Sequence, residues 1–65
     1  MPNRKDIFRS AQLLIKQHGQ EAEGYATNQL KIFRERGDKQ AVSVWFAIIE
    51  AIKTLQTTES SGSLH

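Results

Sequence analysis

Cysteine is absent from the 65-residue sequence, which excludes disulfides and thiolate zinc sites at once. Histidine is almost as scarce. His18 and His65 lie far apart, and the chain offers no further ligands at a spacing that would hold a metal. Long apolar runs are missing too. The longest candidate, Ala41 to Ile49, is broken by Ser43 and stops at Glu50, well short of the ~20 residues of a membrane span. The Met-Pro-Asn-Arg-Lys-Asp start carries charge with no apolar run behind it, so no secretory signal is expected. These absences point to a cytoplasmic protein with no membrane association and no cofactor. A cysteine-free composition suits a reducing compartment.

Charge of either sign is modest. Nine lysines and arginines against seven acids leave a formal charge of +2. The excess sits in the first nineteen residues, where Arg4, Lys5, Arg9 and Lys16 face only Asp6. The rest of the chain is balanced or slightly acidic. The simple reading of these cations is a solvated helix face. The functional reading is a weak contact to an anion, since phosphate binding needs clustered lysine and arginine.

What is present is helical periodicity, which makes the expected fold class all-α. Ile7, Phe8, Ala11, Leu14 and Ile15 recur at spacings of three and four, predicting a helix from about Arg4 to His18. Asn3 is placed to cap its start, Asp6 favours the positive end of its dipole, and Gly19 suits the left-handed position beyond its end. A second helix, about 20–36, carries Ala22, Ala26, Leu30 and Phe33, with Glu21 and Glu23 early and Arg34 and Arg36 late. Gly24 lies beside Ala22 and Ala26, a small-residue patch where another helix could approach. Gly37 then ends the helix and Asp38 can cap the next, the strongest boundary signal in the chain.

The third helix is expected over 39–56. At 100° per residue its apolar side chains cover roughly 200° of the circumference, against the ~100° stripe of an ordinary surface helix. Ala41, Val42, Trp45, Ile48, Ile49, Ile52 and Leu55 fill the centre of that arc, with Val44 and Phe46 on its shoulders. The heptad spacing of 41, 45, 48, 52 and 55 is too short to define a coiled coil. After Gln56 the sequence becomes Thr-Thr-Glu-Ser-Ser-Gly-Ser, with nothing to bury, and is expected to be disordered. The expected organisation is therefore a compact three-helix domain, 1–56, with a disordered tail, 57–65.

Residues that could carry chemistry have plainer explanations. Trp45 reads as a core anchor. His18 reads as a cap on the last carbonyls of its helix, where a cation is favoured. Glu21 and Glu23, two apart on a helix, do not face each other. A composite catalytic site using His18 and Tyr25 would need a dimer interface to complete it. A helix-turn-helix reading of the second and third helices fails on the third, which is poor in arginine and carries Glu50 on its exposed side. An enzyme is not expected.

A chain this short buries only about 60% of its unfolded surface, so its stability is marginal without support. With disulfides and metals excluded, packing and self-association remain. Phe46, Val44, Ile32, Tyr25 and Leu13 stand outside the expected core stripes. Several such residues on one small chain indicate an interface.

The pattern Ala11-x-x-Leu14-Ile15-x-x-His18-Gly19, Ala22-x-x-x-Ala26, Gly37-Asp38 and Trp45-x-x-Ile48-x-x-Ala51-Ile52-x-x-Leu55 resembles a family of short uncharacterised helical proteins from alphaproteobacteria. The matching positions cover nearly the whole chain except the tail. They are core and turn residues, so the resemblance implies the helical fold and no activity. The overall expectation is a non-enzymatic adaptor or regulator whose partners are a second copy (a homodimer) and an unidentified protein. The alternative is a weak nucleic-acid-binding regulator acting through Arg4, Lys5, Arg9 and Lys16.

Overall fold

Among the described residues Gly19 and Gly37 are the two with positive φ, +60° and +76°, and they set the course of the helices. The structure, a computed structural model, describes residues 4–63, with side chains through residue 57. Its elements are α1 (Arg4–His18), a 3₁₀ turn (Gly19–Glu21), α2 (Ala22–Arg36) and α3 (Lys39–Ser63). No strand occurs among the described residues.

The bend at Gly19 is tight enough that helical residues continue through it. The described chain is therefore two helical stretches, 4–36 and 39–63, separated by Gly37 and Asp38 alone. This corrects the expectation of three separate helices. It also moves the start of α2 from residue 20 to Ala22, because Gly19–Glu21 is spent on the 3₁₀ turn. The Gly19 carbonyl accepts the Ala22 N–H within that turn. It also accepts the Gln56 side-chain amide at 3.1 Å, which ties the bend to the far end of α3.

The junction between the two stretches is built from backbone geometry. Gly37 N–H donates to the Arg34 carbonyl and Asp38 N–H to the Phe33 carbonyl, both at 3.0 Å. That pair is a Schellman closure, which satisfies carbonyls that a helix end leaves open. Asp38 then opens α3, its carboxylate accepting the Ala41 N–H at 3.1 Å. The N-cap expected at Asp38 is present. Asp38→Ala should cost about 1 kcal/mol, read as a lower urea midpoint by circular dichroism. An unchanged midpoint would mean that the cap is idle. The cap expected at Asn3 lies outside the described residues.

α3 is the central element, packing against both α1 and α2 more than these pack against each other. The buried core is Ala11 from α1, Ala22, Ala26 and Leu30 from α2, and Ile48, Ile49, Ala51 and Ile52 from α3. Alanines on α1 and α2 thus face isoleucines on α3, which lets two helices sit close to the third. Around this centre lie the half-buried Ile7, Leu14, Ile15, Val42, Val44, Trp45 and Leu55.

Three side chains and one glycine depart from their expected places. Trp45 is only half-buried, and the largest fully buried side chain is Ile52. Phe8 is exposed, because Ile7, Ala11, Leu14 and Ile15 already fill the inward face of α1. Phe33 is half-buried at the last turn of α2, beneath the Arg36 guanidinium at 5.9 Å from its ring centroid. The small-residue patch is also split. Ala22 and Ala26 are buried against the core while Gly24 looks the other way.

The helix α3 runs seven residues past its expected end at Gln56, to Ser63. No proline interrupts that segment, and propagating an existing helix adds one hydrogen bond for each residue ordered. The disorder expected at residues 64 and 65 lies outside the described residues. At about 1.5 Å per residue, the 25 residues of α3 outrun the 15 of α1 and of α2. The radius of gyration is accordingly 12.3 Å, against about 11 Å for a compact chain of this length.

Candidate functional site

The exposed surface divides into two faces of different character. The first is the outward side of α1. Arg4, Phe8, Gln12 and Lys16 form one row at four-residue spacing, and Lys5, Arg9 and Leu13 form the row beside it. All seven are exposed. Among the described residues, none of the four cations takes part in an ion pair, the one such pair being Lys53–Glu50 at 3.9 Å. Arg4, Lys5, Asp6, Phe8, Arg9 and Gln12 line an open groove of about 460 Å³.

The remaining exposed large apolar side chains are on α2 and α3. Among the described residues Phe46 is the most exposed large apolar side chain at 59%, and Tyr25 and Ile32 are also exposed. Tyr25 and Ile32 are seven residues apart and share one side of α2. Tyr25 stacks on His18, ring centroids 4.4 Å apart with planes 16° from parallel, and meets Trp45 edge-on at 6.3 Å. Such ring pairs are worth about 0.5–1.5 kcal/mol beyond area burial. They hold Tyr25 across the junction of all three helical segments.

Of the residues expected at an interface, Phe46, Leu13, Tyr25 and Ile32 are thus on the surface. Val44 is not free. It is half-buried and packed against the core, so only one shoulder of the α3 arc is uncovered. Leu13 is separated from the others, sitting among cations on α1. Lys5, Arg9 and Lys16 lie on the outward side of α1, whereas Arg4, seven residues before the buried Ala11, stands on the core side of the helix's first turn and is exposed there. Phe8, seven residues before Ile15, lies at the margin of the core stripe and is 38% exposed.

His18 also differs from expectation. Its side chain makes no capping hydrogen bond at the turn that follows it and lies instead against Tyr25. The two residues once considered for a composite site across a dimer are therefore together within one chain. The groove beside them, about 530 Å³, is lined by Gln17, His18, Gln20, Glu21, Gly24 and Tyr25 and is open to solvent. Among the described residues no three histidine or carboxylate side chains converge to hold a metal.

Among the described residues nothing gives Gly24 in this groove a conformational or steric reason. Its φ is ordinary for a helix, and a Cβ added there would meet nothing within 4 Å. Glycine inside a helix costs about 1 kcal/mol relative to alanine. Gly24→Ala should therefore raise the melting temperature by roughly 4–8 °C. A fall on calorimetry would show that something other than this chain occupies the space.

No family model, no curated protein and no solved structure matches the chain.

Proposed function

We propose that the chain is a non-enzymatic helical adaptor or regulator of the cytoplasm that works as a self-associated unit. The observation that carries this reading is an imbalance between core and surface. Four of the eight core residues are alanine, and Ile52 is the largest fully buried side chain, while Phe46, Leu13, Tyr25, Phe8 and Ile32 are exposed. A small domain in that condition gains stability most directly by covering its own surface apolar groups.

Charge selects which face pairs. In a two-fold dimer each surface meets its own copy. The α1 surface would then oppose four cations with four more, at a cost that its single acid, Asp6, offsets only in part. The α2–α3 face carries Tyr25, Ile32 and Phe46 without a comparable excess of one sign. The dimer contact therefore belongs to α2 and α3, with Phe46 at its centre. Each copy would retain the rest of its surface for a further protein partner.

Sedimentation equilibrium of the full chain at micromolar concentration tests this. The expected mass is twice the 7.4 kDa of one chain, falling toward one chain on dilution. A 7.4 kDa species at every concentration, with a cooperative melt, overturns the proposal.

A further inference from the structure

We propose that two copies meet antiparallel across the side of α3 that carries Phe46, with Arg34 paired to the partner's Glu23 and Lys39 to the partner's Glu50. This rests on the self-association proposed above, and adds which charges pair and which way the copies run. Glu23 of α2 and Lys53 of α3 line one open groove, so these sides of the two helices look the same way. Arg34 comes eleven residues after Glu23, three turns of α2, and stands within about 20° of it. Phe46 and Lys39 come seven and fourteen residues before Lys53, within about 20° and 40° of it on α3. Glu50, four residues after Phe46, lies about 40° from that ring. Glu23 is half-buried and the other five are exposed.

Along the helices these residues sort by sign. The two-residue junction at Gly37 and Asp38 sets the last turn of α2 beside the first turn of α3. That end of the face carries Arg34 and Lys39, and Lys31, one turn before Arg34, adds to it. The far end carries Glu23 and Glu50. Phe46 stands between the two, flanked by Val42 and Ile49 at spacings of four and three. The remaining charges do not reverse this order. Asp38 spends its carboxylate on the Ala41 N–H, Lys53 sits 3.9 Å from Glu50, and Glu35 is about 100° round α2 from Arg34.

A face that runs positive, apolar, negative complements itself in one direction only. Parallel copies would set Arg34 and Lys39 against the same cations of the partner. Antiparallel copies centred on Phe46 bring ring to ring and lay the cationic end of each over the acidic end of the other. Lys39 is about 10 Å before Phe46 along α3 and Glu50 about 6 Å after it, a difference that a lysine stem spans. Glu50 then lies between Lys53 of its own chain and the partner's Lys39. Two-fold symmetry repeats each pair, so four charge contacts surround the apolar centre. Charges placed in this way fix orientation more than they add strength.

Sedimentation equilibrium of full-length charge-reversed variants tests this. Arg34→Glu with Lys39→Glu makes the face mainly acidic, and Glu23→Lys with Glu50→Lys makes it mainly basic. An exposed ion pair strengthens association by a factor of about two to three, so either variant alone should dimerise roughly 20- to 80-fold more weakly than the unaltered chain. An equimolar mixture of the two should recover dimers, which also shows that both are folded. Direction is read with a short thiol cross-linker, which the cysteine-free sequence permits. Lys39→Cys mixed with Lys53→Cys, each seven residues from Phe46, should cross-link. Lys39→Cys alone should not, its two copies being about 21 Å apart. Three results overturn the proposal while self-association stands: charge variants that dimerise as tightly as the unaltered chain, weakened variants that mixing does not restore, or Lys39→Cys cross-linking to itself. An unaltered chain that stays a monomer overturns both readings.

Discussion

Ile52→Ala is expected to cost about 3–4 kcal/mol, within the range measured for isoleucine-to-alanine changes in cores. A domain of this length has a total stability of roughly 3–10 kcal/mol, so the variant should lose between about a third and the whole of it. The reason is the company Ile52 keeps. It is fully buried, and Ala11, Ala22, Ala26 and Ala51 belong to the same core. An alanine has no rotamer that can swing into a vacated space, so the cavity would stay open. Ile52→Val, which removes one methylene, should lose only about 1 kcal/mol. Urea unfolding followed by circular dichroism measures both. Trp45→Ala should be milder than Ile52→Ala, because that side chain sits at the core margin and is already partly exposed. If the tryptophan proves the costlier loss, the core has been misplaced.

Phe46→Ser has the opposite profile: little effect on one chain and a large one on two. With 59% of the side chain already exposed, its replacement should change the stability of an isolated chain by less than about 0.5 kcal/mol. A two-fold dimer would lose two such side chains. At about 1–2 kcal/mol for each exposed portion newly buried, the dimer constant should weaken roughly 30- to 900-fold. Light scattering on a sizing column, paired with circular dichroism, separates the outcomes. Loss of the dimer with helicity intact is expected. Loss of helicity along with it would place Phe46 in the fold itself.

How much of this was legible in the sequence depends on what each signal encodes. Gly37-Asp38 was readable because both residues act through local backbone geometry, one by its positive φ and the other by its cap on Ala41. The inward stripes of α1 and α2 were readable as periodicity, and so was the cationic row. Periodicity does not rank residues within an arc, however. It placed Trp45 at the centre of the α3 stripe by size, whereas burial depends on where α1 and α2 cross, and they cross over Ile48, Ile49 and Ile52. The same limit hid the exposure of Phe8 and the covering of Val44. The His18–Tyr25 stack joins residues on either side of a bend, and only the angle set by Gly19 brings the rings to 4.4 Å.

The two-residue junction at Gly37 and Asp38 carries a kinetic consequence. Helices joined so tightly bring their first contacts together at very short sequence separation, where loop closure is least costly and folding is fast. The α2–α3 hairpin is thus the natural first structure to form, with α1 docking afterwards across the bend at Gly19. A lost cap at Asp38 should then slow folding. Loss of the Gln56–Gly19 hydrogen bond at the opposite end should instead hasten unfolding. One small helical chain would so have its rate of assembly set at one end and its lifetime at the other.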